Sequence, residues 1–188
     1  MSNLKPWKQI QAKTVFESPY MNVVEDTVEL PTGKQIIWFR FDNVPDGVSI
    51  ILKNDEGRIL LARQYCNPGR HMVWEFPGGR CEENEKVEAT ARREAEEEVG
   101  VYPQTLEKLG RFLQNARRST HYIHVFLGTD LDMRPSSPEP AEFIEWAWYT
   151  EQEIDAMIRQ GEIEEVILLA SWALYKNRTR DMKGEHTS

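Results

Sequence analysis

Residues 79–101 read GRCEENEKVEATARREAEEEVGV, and the chain is organised around them. Pro77-Gly78-Gly79 ahead of the stretch is turn chemistry, Asn84 is a candidate N-cap, and the acids that follow suit the positive end of a helix dipole. Gly100 is a stop signal, with Pro103 just beyond. The stretch therefore predicts a loop feeding a helix. At about 100° per residue, Glu94, Glu97 and Glu98 fall within an arc of roughly 100° on one turn. Ala91, Ala95 and Val99 recur at every fourth position on the neighbouring arc, a small-residue stripe able to lie close against a sheet. Like charges at this spacing repel, and a hard divalent cation with oxygen ligands relieves that repulsion.

Clustered glutamates alone are more often a solvated face laced by pairs such as Arg93 with Glu97. The complete pattern changes that balance. Gly79, Glu85, Arg93, Glu94, Ala95, Glu97, Glu98, Gly100 and Val101 meet every fixed position of G-x5-E-x7-R-E-U-x-E-E-x-G-U, where U is apolar. With background frequencies of roughly 5–15% per fixed residue, chance agreement is below about one in a million. The stretch resembles the Nudix box, and on it the chain is identified as a member of the Nudix hydrolase family.

The resemblance implies an α/β/α sandwich on a mixed β-sheet, and cleavage of the diphosphate bond in a nucleoside diphosphate joined to another group. It implies Mg2+ or Mn2+, two or more ions per site, on Glu94, Glu98, Glu97 and the backbone carbonyl of Gly78. Arg93 matches the arginine that orients the box carboxylates, a catalytic-site role that is mainly structural, and Glu85 matches the acid that supports it. The general base of ADP-ribose pyrophosphatase-type relatives lies on a loop before a late strand, which here is Ser137-Pro138-Glu139-Pro140-Ala141-Glu142. Glu142 is the first candidate, Glu139 the second, and strand-borne Glu145 a third. A glutamate stays ionised at neutral pH, as a base must.

Composition bounds the rest. The chain has 188 residues, enough for one domain with a sizeable core and an appended segment. Its net charge of −8 argues against a general nucleic-acid surface. Cys66 and Cys81 lack metal spacing and suit a reduced interior. The N-terminus lacks an apolar signal core, and the apolar run near 166–174 is too short to span a bilayer. The expectation is a cytoplasmic protein that binds neither nucleic acid nor membrane.

Along the chain, residues 1–45 predict an N-terminal strand unit: a strand near 13–17, then a hairpin of 20–30 and 35–41 turning at Pro31-Thr32-Gly33-Lys34. Such a unit buries too little to stand alone. Its aromatic residues Trp7, Trp38, Phe39 and Phe41 point to a homodimer with exchanged N-terminal strands. The Nudix domain then runs over 46–178, with a polar tail at 179–188. Within it, 48–53 and 58–65 predict a hairpin about Asn54-Asp55-Glu56-Gly57, followed by strands at 73–76, 106–113, 122–129 and 143–149. Thr150-Glu151-Gln152-Glu153 is a capping box opening a helix that stops at Gly161, and 164–176 predicts a further helix, with fraying from Arg178.

For substrate, Arg63 and Glu75 match positions that contact diphosphate and sugar in nucleoside diphosphate sugar hydrolases. Arg70, Arg117 and Arg118 are further phosphate candidates, because arginine forks fit phosphate oxygens. Relatives selective for ADP-ribose carry a proline about fifteen residues after the box; Asn115-Ala116-Arg117-Arg118 lacks it. The implied activity is therefore a broader hydrolase of ADP-ribose, GDP-mannose or similar compounds, giving a nucleoside monophosphate and a sugar phosphate. The alternatives are a Nudix pyrophosphatase for dinucleoside polyphosphates or NTPs, and an inactive nucleotide-sugar-binding module. The intact acids weigh against the last.

Overall fold

The computed structural model describes residues 5–138 and 143–184, with side chains described as far as residue 179. Two compact units emerge: Met1–Pro45 with Leu113–His121, and Asp46–Phe112 with Tyr122–Ser188.

The first unit is an antiparallel sheet of β1 (Lys8–Phe16), β2 (Asn22–Glu29) and β3 (Gln35–Asp42), in that order. The expected hairpin is present, closed by a Gly33 N–H bond to the Leu30 carbonyl, with Gly33 at φ 83. The first strand starts at Lys8, earlier than the sequence predicts. Alternation places Val24, Asp26 and Val28 on one face of β2, and all three are buried. Asp26 is tolerated there because Arg40 and Gln9 both donate to it at 2.8 Å. The opposite face leaves Ile37 and Phe39 about half exposed, at 50% and 46%. Residues of 113–121 run beside β3: the Phe41 N–H donates to the Arg118 carbonyl, and the Trp38 indole to that of Arg117.

The second unit contains β4 (Gly47–Leu52), β5 (Ile59–Cys66), β6 (His71–Glu75), α1 (Val87–Val99), β7 (Val101–Leu113), β8 (Tyr122–Met133), β9 (Glu145–Tyr149), α2 (Glu151–Gln160) and α3 (Val166–Gly184). β4 pairs in parallel with β8 in a sheet ordered β4-β8-β7, while β5 is antiparallel to both β6 and β9. The β4–β5 hairpin expected from the sequence forms its turn and one bridge, Lys53 with Ile59, and then splays. Both strands are apolar on both faces, and each finds its partners in a different sheet.

Alternate residues of β4 supply two cores. Val48, Ile50 and Leu52 join Leu60, Ala62 and Phe126 against Ala91, Ala95 and Val99 of α1. Ile51 joins Leu61, Phe76 and Val125 against Ile154 and Met157 of α2 and Leu168, Trp172 and Tyr175 of α3. Helices thus cover opposite faces of mixed β-structure, the expected α/β/α layering. Burying Val99 alone contributes about 2 kcal/mol. The capping box at Thr150 forms as predicted, with Glu153 and Thr150 bonding reciprocally, and Gly161 ends α2 in the left-handed conformation. α3 runs well past the expected end at 176, to Gly184. Among the described residues no helix is long and apolar enough to cross a membrane.

Candidate active site

Helix α1 enters without the expected cap. Asn84 sits at φ 64 in the preceding turn, a conformation asparagine tolerates, and Lys86 takes the cap position with no side-chain bond. The Glu85 side chain does the bracing instead. Its Oε2 accepts from the Glu82 N–H at 3.1 Å and from the buried Thr90 hydroxyl at 2.8 Å. Both oxygens also meet Arg93, Nε on Oε1 and Nη2 on Oε2, each at 3.0 Å. The guanidinium beside it holds the Glu85 carboxyl down at about 2. Arg93 is correspondingly raised, first by its bonds to Glu85 and against the cost of its own burial.

Arg93 reaches further. Its Nη1 donates to Glu94 at 3.0 Å and Glu97 at 2.9 Å, and its Nη2 to the Arg80 carbonyl at 3.2 Å. One planar fork therefore positions three carboxylates and the glycine loop together. Glu98, only 8% exposed, accepts from the Gly78 N–H at 2.9 Å.

The loop approaches so closely because it has no side chains. A Cβ at Gly79 would overlap the Glu94 carboxylate, and one at Gly78 would overlap the Val48 carbonyl. The Val48 and Ile50 N–H groups take the carbonyls of Gly79 and Pro77.

At the other end, Gly100 turns out of α1 at φ 65, and its N–H closes on Glu96. Residues 134–137 lie across this end: the Arg134 N–H donates to the Gly100 carbonyl at 2.8 Å and the Ser137 N–H to that of Glu97 at 2.9 Å. Arg93 and Glu97 also border a cleft of about 790 Å³ lined by Glu96, Tyr102, Pro135 and Ser137.

Glu94, Glu97 and Glu98 offer only oxygen on a single turn, a donor set that fits a hard divalent cation. Among the described residues no three acidic, histidine or cysteine groups yet converge as a ligand cluster. Glu94 and Glu97 close on Arg93 instead, whose guanidinium supplies positive charge between them. The thiols offer no rival chemistry: Cys66 and Cys81 are free, and burial pushes Cys81 up, away from the nucleophilic thiolate.

The substrate candidates separate. Arg63 on β5 lies opposite Trp74 of β6 and Glu145 of β9, with its guanidinium over the Trp74 ring at 5.3 Å. Glu75 sits at the end of β6, just before the glycine loop. Arg70 occupies the left-handed position at the opposite tip of the β5–β6 hairpin, about 17 Å of strand from Glu75, so it is not brought to the carboxylates. Arg117 and Arg118 belong to the first unit, where Arg118 donates to the Phe39 carbonyl and stacks on Trp38 at 4.8 Å. Glu139 and Glu142 lie outside the described residues. Sequence reading missed Thr90 and Arg134; Thr90 offered one signal, a hydroxyl five residues after Glu85 on an otherwise buried face.

Residues 43–169 match the family described as NUDIX domain. The chain belongs to the Nudix family. Residues 7–40 of this Nudix hydrolase also match the nucleoside diphosphate sugar hydrolase N-terminal domain. It is similar to an ADP-ribose pyrophosphatase of Bacillus subtilis, 28% identical over 162 residues that cover 83% of this chain and 85% of the relative. A methanol dehydrogenase activator of Bacillus methanolicus is 27% identical over 165 residues, covering 87% and 89%. The fold is that of a crystal structure described as an ADP compounds hydrolase, with a TM-score of 0.86, 18% identity and coverage of 97% of this chain and 98% of that one.

Proposed function

We propose that this Nudix hydrolase cleaves the diphosphate bond of nucleoside diphosphate sugars, ADP-ribose and GDP-mannose among them, to a nucleoside monophosphate and a sugar phosphate. The observation that carries the reading is the Arg93 fork, which gathers Glu85, Glu94 and Glu97 against the Gly78–Gly79 loop. The N-terminal strand unit supports the sugar-nucleotide class, since it matches the domain of that name.

Glu94, Glu97, Glu98 and the Gly78 carbonyl would hold Mg2+ or Mn2+, which neutralises charge on the non-bridging phosphate oxygens and lowers the pKa of bound water. Arg93 keeps the carboxylates aimed, and Arg63 and Glu75 contact the diphosphate and sugar. Glu142, with Glu139 as second candidate, takes the proton of the attacking water as its oxygen bonds to phosphorus and the bridging P–O bond breaks. We further propose a cytoplasmic homodimer joined through the N-terminal strands, a reading supported by the exposed Ile37 and Phe39.

A panel of ADP-ribose, GDP-mannose, UDP-glucose, diadenosine polyphosphates and NTPs, incubated with Mg2+ and resolved by mass spectrometry, tests this. Nucleoside monophosphate and sugar phosphate are the expected products. Turnover confined to the polyphosphates or NTPs would overturn the substrate class.

A further inference from the structure

Helix α1 carries an electrostatic fault. Its last turn holds Glu96, Glu97 and Glu98 and no basic residue, so acids crowd the negative end of the helix dipole. Two of these acids are proposed cation ligands, so that turn has to keep its shape despite its charge.

The compensation comes from outside the helix. The Arg134 guanidinium pairs with Glu96 at 3.0 Å and lies over the Tyr102 ring at 3.7 Å, while Asp132 approaches its other nitrogen at 3.8 Å. Its backbone N–H takes the Gly100 carbonyl, and three residues later the Ser137 N–H takes the Glu97 carbonyl. A carbonyl that the helix leaves without a partner is thereby satisfied at the very residue whose side chain faces Arg93. Gly100 is shaped for this contact: a Cβ there would overlap the Arg134 carbonyl. An isolated surface ion pair contributes little. Here one residue joins a charge pair, an aromatic stack and a backbone bond at a single helix end.

We propose that Arg134 is a positioning residue, one that holds the last turn of α1, and with it Glu97 and Glu98, in the geometry that takes a divalent cation. The proposal rests on the reading of these acids as ligands. It makes a prediction opposite in sign to simple electrostatics. Deleting a positive charge near a cation site should tighten cation binding; loss of a positioning residue should weaken it.

The test is Mn2+ binding to the full-length chain, followed by calorimetry and by the electron paramagnetic resonance of free Mn2+, without substrate. Arg134→Ala should weaken Mn2+ binding about tenfold, the scale of a lost supporting contact around a metal ligand. Arg134→Lys, which keeps the charge and part of the stack, should recover part of that loss. Amide exchange at Gly100 should quicken in Arg134→Ala. Unchanged or tighter Mn2+ binding by Arg134→Ala, with or without a lower Tm, overturns the proposal. Arg134→Met, which keeps the stem over Tyr102, gives the same decision if the alanine variant fails to fold. Wild-type protein that binds no Mn2+, or binds it as well after Glu98→Gln, overturns the ligand assignment itself, an outcome separate from a null effect at Arg134.

Discussion

Arg93 grips Glu85 through two parallel bonds, Nε to Oε1 and Nη2 to Oε2, both 3.0 Å long. The grip spans the loop-to-helix junction and leaves Nη1 for Glu94 and Glu97.

This pairing makes stability depend on acid. The folded Glu85 carboxyl titrates at about 2, below its ordinary 4.5, so its contribution is full above that ordinary value and is lost as pH falls towards 2. Glu85→Gln should cost about 2 kcal/mol near neutrality, a charge-assisted bond's worth, or roughly 5 °C in Tm. The gap between variant and wild type should close between pH 5 and pH 2. Thermal melts across that window decide it, and a constant gap would mean that Arg93 does not hold the carboxylate.

Activity should require Mg2+ or Mn2+ and vanish with chelator. Glu98→Gln should lower kcat by about three orders of magnitude with the fold intact, because the amide oxygen can still accept from the Gly78 N–H. A variant within tenfold of wild type would remove Glu98 from the metal ligands.

Gly79→Ala should lower kcat about a hundredfold, the scale of a misplacement near 1 Å. The added methyl displaces the Glu94 carboxylate, while the loop retains its bond to Val48. Steady-state kinetics beside a Tm measurement separate a displaced ligand from an unfolded loop.

Glu142→Gln should depress kcat far more than it raises KM, since a base acts in the transition state. Greater loss in Glu139→Gln, with Glu142→Gln still active, would transfer the role.

Light scattering at micromolar concentration should give twice the chain mass, and Phe39→Asp should shift it towards monomer by placing a charge on the exposed face of β3. A monomeric wild type with full activity would defeat the dimer reading.

The α1 carboxylates and the Ala91–Ala95–Val99 stripe could be read from sequence because both rest on local periodicity. So did the Thr150 capping box and the β2–β3 hairpin. What could not be read was non-local. The splaying of β4 from β5 depends on β8 and β9 competing for their edges. The cap at Asn84 fails because Glu85 finds Arg93, two helical turns further on. Nor could sequence show that Arg118 meets Trp38 and the Phe39 carbonyl. Arg134 stands alone in sequence, and only the fold brings Glu96 and Tyr102 to it.

The strand unit's second piece, 113–121, has a consequence for anyone recombining such proteins. A chimera that exchanges only residues 1–45 would import a foreign β3 and keep the native strip that lies along it. The Arg118 guanidinium would then await a Trp38 ring that the donor need not supply. Grafts that carry both pieces together should express and assemble, whereas grafts cut at the linear boundary should not. The inheritable part here is a matched pair of segments more than sixty residues apart in sequence.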